Sequence, residues 1–236
     1  MKFSTFWMAA ACGLVFAGIA PSAHAQGQTT SPLKTPPEDT DDTAQGPGPW
    51  MARIRGYDFL PANHSGRFSY LGLQFPKDAL QVSQKFGFEG DLTRFFKKNF
   101  ALELSVSAPI QSSVNLQYGG PLGTITQMPM SFIAQYHYQI PKAPINAYVG
   151  LGLGYSRITQ VRLNAGGSNP LEMKRDMLGP AYQIGADIAI AQGFYINVDF
   201  RHIQLASNLK DVNSNSLLTD ANMAPNFFSI GIGHRF

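Results

Sequence analysis

The chain lacks most of the features that mark disulfide-bonded, metal-binding and nucleic-acid-binding proteins. It contains one cysteine in 236 residues, so it cannot form an internal disulfide or a zinc site built from several thiolates. Charged residues make up only 14% of the chain, against about 25% in a typical soluble domain. The net charge of +3 is spread along the sequence, which argues against nucleic acid as a partner.

Long apolar runs are also missing beyond the first 25 residues. A helical protein with several membrane spans needs several runs of about 20 apolar residues, so that class is excluded. The chain instead has 17 Phe, 9 Tyr and 23 Gly, with a mean hydropathy of −0.10. Many aromatic residues, few charges and neutral hydropathy together indicate a β-protein with one face in lipid.

The N-terminus has the layout of a secretory signal peptide. Lys2 precedes an apolar stretch, and small residues at Ala23 and Ala25 predict cleavage after residue 25. A retained membrane anchor is the alternative, and a lipoprotein attached through Cys12 is a further one, although more of the apolar stretch follows Cys12. Residues 26–49 hold five prolines and four acidic residues without an aromatic residue, which predicts a flexible periplasmic tail.

From residue 50 onward, apolar and polar residues alternate with the period of a half-buried strand. In residues 194–202, for example, the even positions begin Phe, Ile, Val, Phe and the odd positions read Tyr, Asn, Asp, Arg. This alternation predicts eight strands, at 50–60, 80–92, 100–108, 125–138, 148–155, 178–190, 194–202 and 225–236. Three short links alternate with four long polar links, which are predicted as loops at 62–79, 111–124, 159–176 and 208–224, as in barrels of the outer membrane.

We therefore predict an all-β fold over residues 50–236, an eight-stranded antiparallel transmembrane β-barrel of the outer-membrane type. The short turns and both termini are expected in the periplasm, and the long loops outside the cell. A soluble lipocalin-like barrel is the alternative, with its apolar face inside. The apolar faces carry large side chains on every strand, whereas the opposite faces carry small and charged residues that suit a narrow interior.

The small or polar face carries charged residues of both signs. The candidate charge network of the interior comprises Arg53, Arg55, Lys85, Glu89, Asp91, Glu103, Asp187, Asp199, Arg201 and Arg235. Five cations against five anions predict pairing, because an unpaired buried charge is strongly destabilising. The network either fills the barrel as a structural element or blocks ions across its periplasmic half.

Two prolines interrupt predicted strands. Pro129 cannot donate a backbone hydrogen bond, and it is expected to leave a gap in the barrel wall together with its neighbour Met128. Pro180 is expected to act in the same way on another strand. Met128, Pro129 and Pro180 are thus the candidate residues of a lateral opening.

Four segments resemble the outer membrane protein W (OmpW) family. Residues 144–155 are similar to its PYVGAGxNY segment, 128–136 to LPPTLMAQW, 178–187 to WGAAGQVGVD and 229–236 to SAGYRF. The segments follow one another in the order and spacing of that family between residues 50 and 236.

The resemblance implies a barrel in the bacterial outer membrane, with a narrow apolar channel for passive uptake of small hydrophobic molecules and lateral release into the membrane. It implies outer-membrane lipids, small hydrophobic solutes and, during biogenesis, the barrel-assembly machinery as partners, and no cofactor. Phe236, which ends the last predicted strand, is the expected assembly signal.

Other functions fit the same barrel. A structural or adhesion protein, or a receptor for phages or bacteriocins, would have its function in the extracellular loops. A lipid A-modifying enzyme would need a histidine and a serine near the outer rim, but the residue two positions after His202 is Gln204, and Ser207 is further away. No enzymatic activity is therefore predicted, and the five histidines lack the spacing of a metal site.

Overall fold

The computed structural model describes residues 48–70, 72–117, 119–165, 169–212 and 217–236. The predicted signal peptide, and the predicted tail as far as residue 47, lie outside the described residues. Within the described ranges, no helix is long and apolar enough to cross a membrane.

The described residues form sixteen β-strands, most of them with alternating buried and exposed positions. Their bounds are β1 Trp50–Leu60, β2 His64–Ser65, β3 Phe68–Tyr70, β4 Leu73–Phe75, β5 Leu80–Val82, β6 Lys85–Lys97, β7 Phe100–Ser107, β8 Ile110–Leu116, β9 Gly120–Gln139, β10 Ile145–Ala165, β11 Asn169–Met173, β12 Asp176–Ala191, β13 Phe194–Ile203, β14 Ala206–Asp211, β15 Leu217–Asn222 and β16 Asn226–Arg235.

Eight of these strands close into an antiparallel barrel in the order β1-β6-β7-β9-β10-β12-β13-β16. The ring closes because β1 pairs with β16 along its whole length, from Met51 opposite Arg235 to Leu60 opposite Asn226. Backbone hydrogen bonds between Trp50 and Phe236, at 2.8 and 3.1 Å, extend this pairing by one residue. The predicted eight-stranded barrel is confirmed.

The loops hold more strand than the sequence predicts. The stretch predicted as one strand over 80–92 is divided, because β5 leaves the barrel wall and pairs with β8. The predicted loops 111–124 and 159–176 were wrong in part, since β9 and β10 run for 20 and 21 residues and stay paired as far as Leu163 opposite Gly123. The wall therefore continues well past the predicted strand ends.

The alternating residues of the barrel strands face opposite environments. Ile54 is 69% exposed and Ile232 is 63% exposed, whereas Arg53 and Arg55, which flank Ile54, are buried. A continuous band of exposed aliphatic and aromatic side chains around a polar interior is the arrangement of a lipid-embedded barrel. The alternative of a soluble barrel, with its apolar face inside and its charged face outside, is therefore wrong.

The two ends of the barrel differ. One end, here called the turn end, has the short connections 98–99, 140–144 and 192–193 and both ends of the barrel chain. The other, the loop end, carries the long connections with their additional strands. Along β1, the inward side chains change from Arg53 and Arg55 near the turn end to Tyr57 and Phe59 near the loop end. The interior thus has a charged layer and, toward the loops, an apolar layer.

Glycines on β10 make room for large side chains inside this narrow barrel. A Cβ atom at Gly150 would lie 2.6 Å from Cγ2 of Ile133, which is fully buried. A Cβ atom at Gly154 would lie 2.2 Å from Cγ2 of Ile203. The glycine face of β10 is therefore explained by close packing against neighbouring inward residues.

Candidate functional site

Three arginines organise the charged layer of the interior. Arg53 Nη1 lies 2.8 Å from Asp91 Oδ1 and 3.3 Å from Glu103 Oε2, and its Nη2 lies 2.7 Å from Asp187 Oδ2. Because these carboxylates come from three different strands, one guanidinium links four strands of the wall.

Arg55 and Arg201 extend the same network toward the loop end. Arg55 Nε is 3.0 Å from Glu89 Oε1, and its Nη2 is 2.9 Å from Asp91 Oδ2 and 3.1 Å from Glu103 Oε1. Arg201 pairs with Glu89, and Arg55 Nη1 is 3.6 Å from Asp199 Oδ1. Every carboxylate of the layer therefore contacts at least one guanidinium.

Neutral polar side chains fill the space between the ion pairs. Gln135 and Gln183 each donate to Glu103, at 3.0 and 2.9 Å, and Asn197 donates to Asp187 at 2.8 Å. The Tyr148 hydroxyl donates to Asp199 at 3.0 Å. All of these groups are buried, so the charged layer is shielded from solvent.

Eight of the ten predicted network residues are brought together, and two are not. Lys85 is exposed and lies opposite Phe59, at the level of the apolar layer and away from the carboxylates of the network. Arg235 is half-buried at the turn end, where its Nε donates to the Gly48 carbonyl at 3.0 Å and its guanidinium lies 3.9 Å from the Phe95 ring centroid.

These two positions correct the predicted charge balance. Lys85 and Arg235 make no salt bridge within the described residues, so the buried layer holds three arginines and five carboxylates. The amide donors Gln135, Gln183 and Asn197 supply hydrogen bonds that the missing cations would have supplied. These amides were not predicted as members of the network, although each has the strand parity that points inward.

The wall is irregular beside Pro129. β7 pairs with β9 as far as Val106 opposite Met130, and β8 resumes the pairing with Ile110 opposite Gln127. Met128 and Pro129 fall between these two ladders, although Pro129 keeps its partner Ser156 on β10. Pro129 is buried on the inner face and Met128 is half-buried on the outer face.

The backbone nitrogen of Pro129, which has no hydrogen to donate, faces β7 at this irregularity. His137 on the same strand donates its N–H to the Asn99 carbonyl at 2.8 Å, toward β7. Alternate residues of a strand direct their N–H groups to the same edge, and Pro129 is eight residues from His137. The register of β7 and β9 would set Pro129 opposite Ser107, so the ladder ends where the donor is absent.

Pro180 ends a second ladder. Pairing of β12 with β13 stops at Ala181 opposite Ile203, and the Gln204 N–H donates to the Pro180 carbonyl at 2.9 Å. The next link is the hydrogen bond from the Lys174 N–H to the Asn208 carbonyl at 3.2 Å. Unlike Pro129, Pro180 is exposed on the outer face.

The rim histidine has no catalytic partner nearby in the described residues. His202 Nδ1 lies 2.8 Å from Asn226 Oδ1, and the His202 ring stacks on Tyr182 with centroids 6.4 Å apart. Ser207 donates its hydroxyl to the Lys174 carbonyl at 3.2 Å instead of to a histidine. Within the described ranges, no three His, Cys, Asp or Glu side chains form a cluster that could hold a metal ion.

Known structures share this barrel. The crystal structure of OprG from Pseudomonas aeruginosa superimposes with a TM-score of 0.68 at 18% identity, covering 81% of this chain and 97% of that chain. The solid-state NMR structure of AlkL in lipid bilayers gives a TM-score of 0.63 at 19% identity, covering 89% and 96%. Both are outer membrane proteins, and the likeness establishes the fold.

Relatives are also found by sequence. Outer membrane protein W of Vibrio cholerae is 24% identical over 151 residues, which cover 60% of this chain and 69% of that protein. The dibenzothiophene metabolism operon protein PahQ of Pseudomonas aeruginosa is 24% identical over 194 residues, covering 80% and 89%. The model of the OmpW family matches residues 77–236. This match covers seven of the eight barrel strands, all but β1, and the chain therefore belongs to the OmpW family of bacterial outer-membrane barrels.

Proposed function

We propose that this protein carries small hydrophobic molecules from outside the cell into the outer membrane, with lateral release through its wall. One observation carries the proposal, namely the apolar layer that fills the interior between the loop end and the charged layer. Its buried side chains include Phe59, Ile110, Ile125, Ile158 and Met177. A hydrophobic molecule that enters among such side chains exchanges water for apolar contacts, which is favourable.

The charged layer makes straight passage unfavourable for such a molecule. An apolar molecule in this layer would separate arginines from their carboxylates and leave buried charges without partners, which costs several kcal/mol for each. The charged layer is therefore a barrier to the passage of an apolar molecule, and its closed network is also a barrier to ions. We place the loop end outside the cell and the turn end, with both termini, in the periplasm, as in other barrels of this kind.

Lateral release avoids the charged layer. The ladder ends beside Met128 and Pro129 and beside Pro180 lie between the apolar layer and the lipid face, where fewer backbone hydrogen bonds hold neighbouring strands together. Separating strands at such a point breaks fewer bonds than elsewhere. The name of the relative PahQ supports a hydrophobic cargo, because dibenzothiophene is an apolar aromatic compound.

Uptake of dibenzothiophene by cells that lack the gene tests this function. Restoring the gene is expected to raise uptake above that of cells with an empty vector or with an unrelated eight-stranded barrel at equal outer-membrane abundance. Planar bilayers with the purified protein should show little ion conductance, because the charged layer is closed. Uptake equal to that of the empty vector would contradict the proposal.

A second candidate function lies in the loops. A cavity of about 530 Å³ at the loop end is lined by His64, Arg67, Lys77, Asn208 and Asn222, among others. Cationic and amide donors around one cavity favour an anionic ligand from outside the cell, as expected of a receptor or adhesion barrel. Reduced binding of sulfated or phosphorylated glycans by Arg67→Gln, at unchanged dibenzothiophene uptake, would support this role.

A further inference from the structure

Three polar side chains within the apolar layer each have a buried polar atom that lacks a hydrogen-bond partner among the described residues. The Gln127 Nε2 amide and the hydroxyls of Ser112 and Ser156 are buried, and none of them has a partner among the described residues. A buried donor without a partner is destabilising by about 1–3 kcal/mol, and most buried polar groups in proteins are paired. Three such groups in one apolar region require a physical reason.

On the inner wall, Gln127 lies between the two serines, which are on the strands at either side of β9. Gln127 on β9 lies opposite Ile110 on β8 and opposite Ile158 on β10. Ser112 is two residues from Ile110, and Ser156 is two residues from Ile158, so both serines are diagonal neighbours of Gln127. Diagonal neighbours on one face are about 7–8 Å apart, within reach of a long side chain such as glutamine.

Apolar side chains surround this polar group on the same face. Ile110, Ile125 and Ile158 belong to the apolar layer and alternate with the three polar residues along their strands. The polar group is therefore an amide and two hydroxyls set in a hydrocarbon surface. Small-molecule sites have this composition, with a few polar groups that fix orientation in an apolar lining.

The position of the group connects it with the ladder end at Pro129. Ser156 lies opposite Pro129 on the neighbouring strand, and Gln127 is the residue at which pairing with β8 resumes. A molecule that leaves the apolar layer beside Met128 and Pro129 therefore passes the Gln127 amide. We propose that Ser112, Gln127 and Ser156 form a binding site for a hydrophobic molecule that bears one hydrogen-bond-accepting oxygen, such as a ketone.

This inference rests on the proposed uptake function and adds a substrate class to it. The Gln127 amide donates to the oxygen of the molecule, and the hydroxyl of Ser156, opposite Pro129, completes its hydrogen bonds, while the hydrocarbon part contacts the isoleucines. A hydrocarbon of the same shape leaves the three groups unpaired. The site therefore favours the oxygen-bearing molecule, as sites with buried polar groups do in general.

Fluorene and 9-fluorenone are suitable probes because they have nearly the same shape and differ in one carbonyl oxygen. Cells that produce the full protein are expected to take up fluorenone in preference to fluorene, relative to empty-vector cells. Gln127→Leu should reduce this preference by about two- to tenfold, the factor expected from one neutral hydrogen bond. Gln127→Leu should also fold at least as well as the wild type, because it removes an unpaired donor from an apolar region.

A matched control is available on the neighbouring strand. Gln111 is exposed on the opposite face of β8, so Gln111→Leu should leave the preference unchanged. Ser156→Ala, which removes one hydroxyl without adding volume, should reduce the preference in the same direction as Gln127→Leu. In infrared difference spectra of the purified protein, the fluorenone carbonyl band should shift to lower frequency in the wild type and in Gln111→Leu, and the shift should be smaller in Gln127→Leu.

The outcomes separate the two proposals. Fluorene uptake above the empty-vector level, with the same preference for fluorenone in the wild type and in Gln127→Leu, would overturn the binding site and leave the uptake function standing. Uptake of neither compound above the empty-vector level would overturn the uptake function and the site together.

Discussion

Arg53 and Asp187 form two parallel hydrogen bonds across the barrel interior, from Nε to Oδ1 at 3.0 Å and from Nη2 to Oδ2 at 2.7 Å. Their strands, β1 and β12, are separated in the wall by β16 and β13. This two-point pair therefore ties together parts of the wall that share no backbone hydrogen bonds. Geometry of this kind makes arginine–carboxylate pairs strong and directional.

Removal of Arg53 should strongly destabilise the barrel. Arg53→Leu leaves Asp187 without its two-point partner and weakens the pairing of Asp91 and Glu103, so the free energy of unfolding should fall by about 3–5 kcal/mol. Urea unfolding of the protein in lipid vesicles measures this change. Arg157→Leu is the matched control, because Arg157 is exposed and its ion pair with Asp176 is long, at 4.0 Å. This substitution should change the free energy of unfolding by less than about 1 kcal/mol. Equal effects of the two substitutions would contradict the structural role of the layer.

The charged layer was predictable in its residues but not in its stoichiometry. Strand parity placed Arg53, Arg55 and Arg201 on the inner face together with all five carboxylates. The same alternation also placed Lys85 on the inner face. Alternation gives the face of a residue but not its position along the barrel axis, and Lys85 lies at the level of Phe59, outside the charged layer. Depth depends on the stagger of neighbouring strands, which is set by pairing between distant segments.

A second prediction concerns the stability of the barrel when a charge is placed on its outer face. Leu104 is 49% exposed on the lipid face of β7, and Leu104→Arg should lower the free energy of unfolding in vesicles by about 2–4 kcal/mol. Leu73→Arg is the control, since Leu73 is exposed on the β3–β4 hairpin outside the barrel wall, and its effect should be small. If both variants unfold at the same urea concentration, Leu104 does not face the hydrocarbon.

An inward arginine at the next position would not be a tolerated substitution. The Ser105 hydroxyl is buried, 2.7 Å from the Ser131 hydroxyl, and it accepts a hydrogen bond from Arg201 at 2.6 Å. Ser105→Arg would place a second guanidinium against Arg201 in a filled interior. We expect this substitution to be at least as destabilising as Leu104→Arg.

The end of the chain should matter for assembly. Phe236 donates its N–H to the Trp50 carbonyl at 2.8 Å and accepts from the Trp50 N–H at 3.1 Å, beside the seam that closes the barrel. Deletion of Phe236 should lower the amount of heat-modifiable protein in the outer membrane while secretion into the periplasm continues. Phe228→Ala, on the outer face of the same strand, should have a smaller effect. Unchanged outer-membrane yield after the deletion would remove Phe236 as an assembly signal.

The wall and the polar site differ in how far the sequence could predict them. Pro129 and Pro180 stand within alternating segments, and their positions alone indicate interrupted pairing. The group of Ser112, Gln127 and Ser156 was not predictable, because residues 111–124 have weak alternation and were expected to form a loop. Only the pairing of β8 with β9 brings Ser112 onto the inner face beside Gln127.

Pro129 provides the most direct test of lateral release. Its position opposite Ser107 means that an amino acid with an N–H group could add one backbone hydrogen bond at the end of the β7–β9 ladder. Valine is suited to this inward position because its β-branched side chain favours strands. The substitution should therefore close the wall locally without disturbing the charged layer.

We expect Pro129→Val to reduce uptake of dibenzothiophene by cells while the protein folds as well as the wild type or better. The added hydrogen bond must be broken each time the strands separate, so a bond worth about 0.5–1.5 kcal/mol should slow release by about two- to tenfold. Heat-modifiability and urea unfolding in vesicles check the folding. Pro121→Val is the matched control, because Pro121 lies on the same strand near its loop end, is exposed, and keeps its partner Asn115 on β8. Undiminished uptake by a correctly folded Pro129→Val barrel would show that the molecule does not leave beside Pro129. The Pro180→Val variant would then distinguish release beside β13 from passage through the charged layer. Only release beside β13 would be slowed by a new hydrogen-bond donor at the end of the β12–β13 ladder.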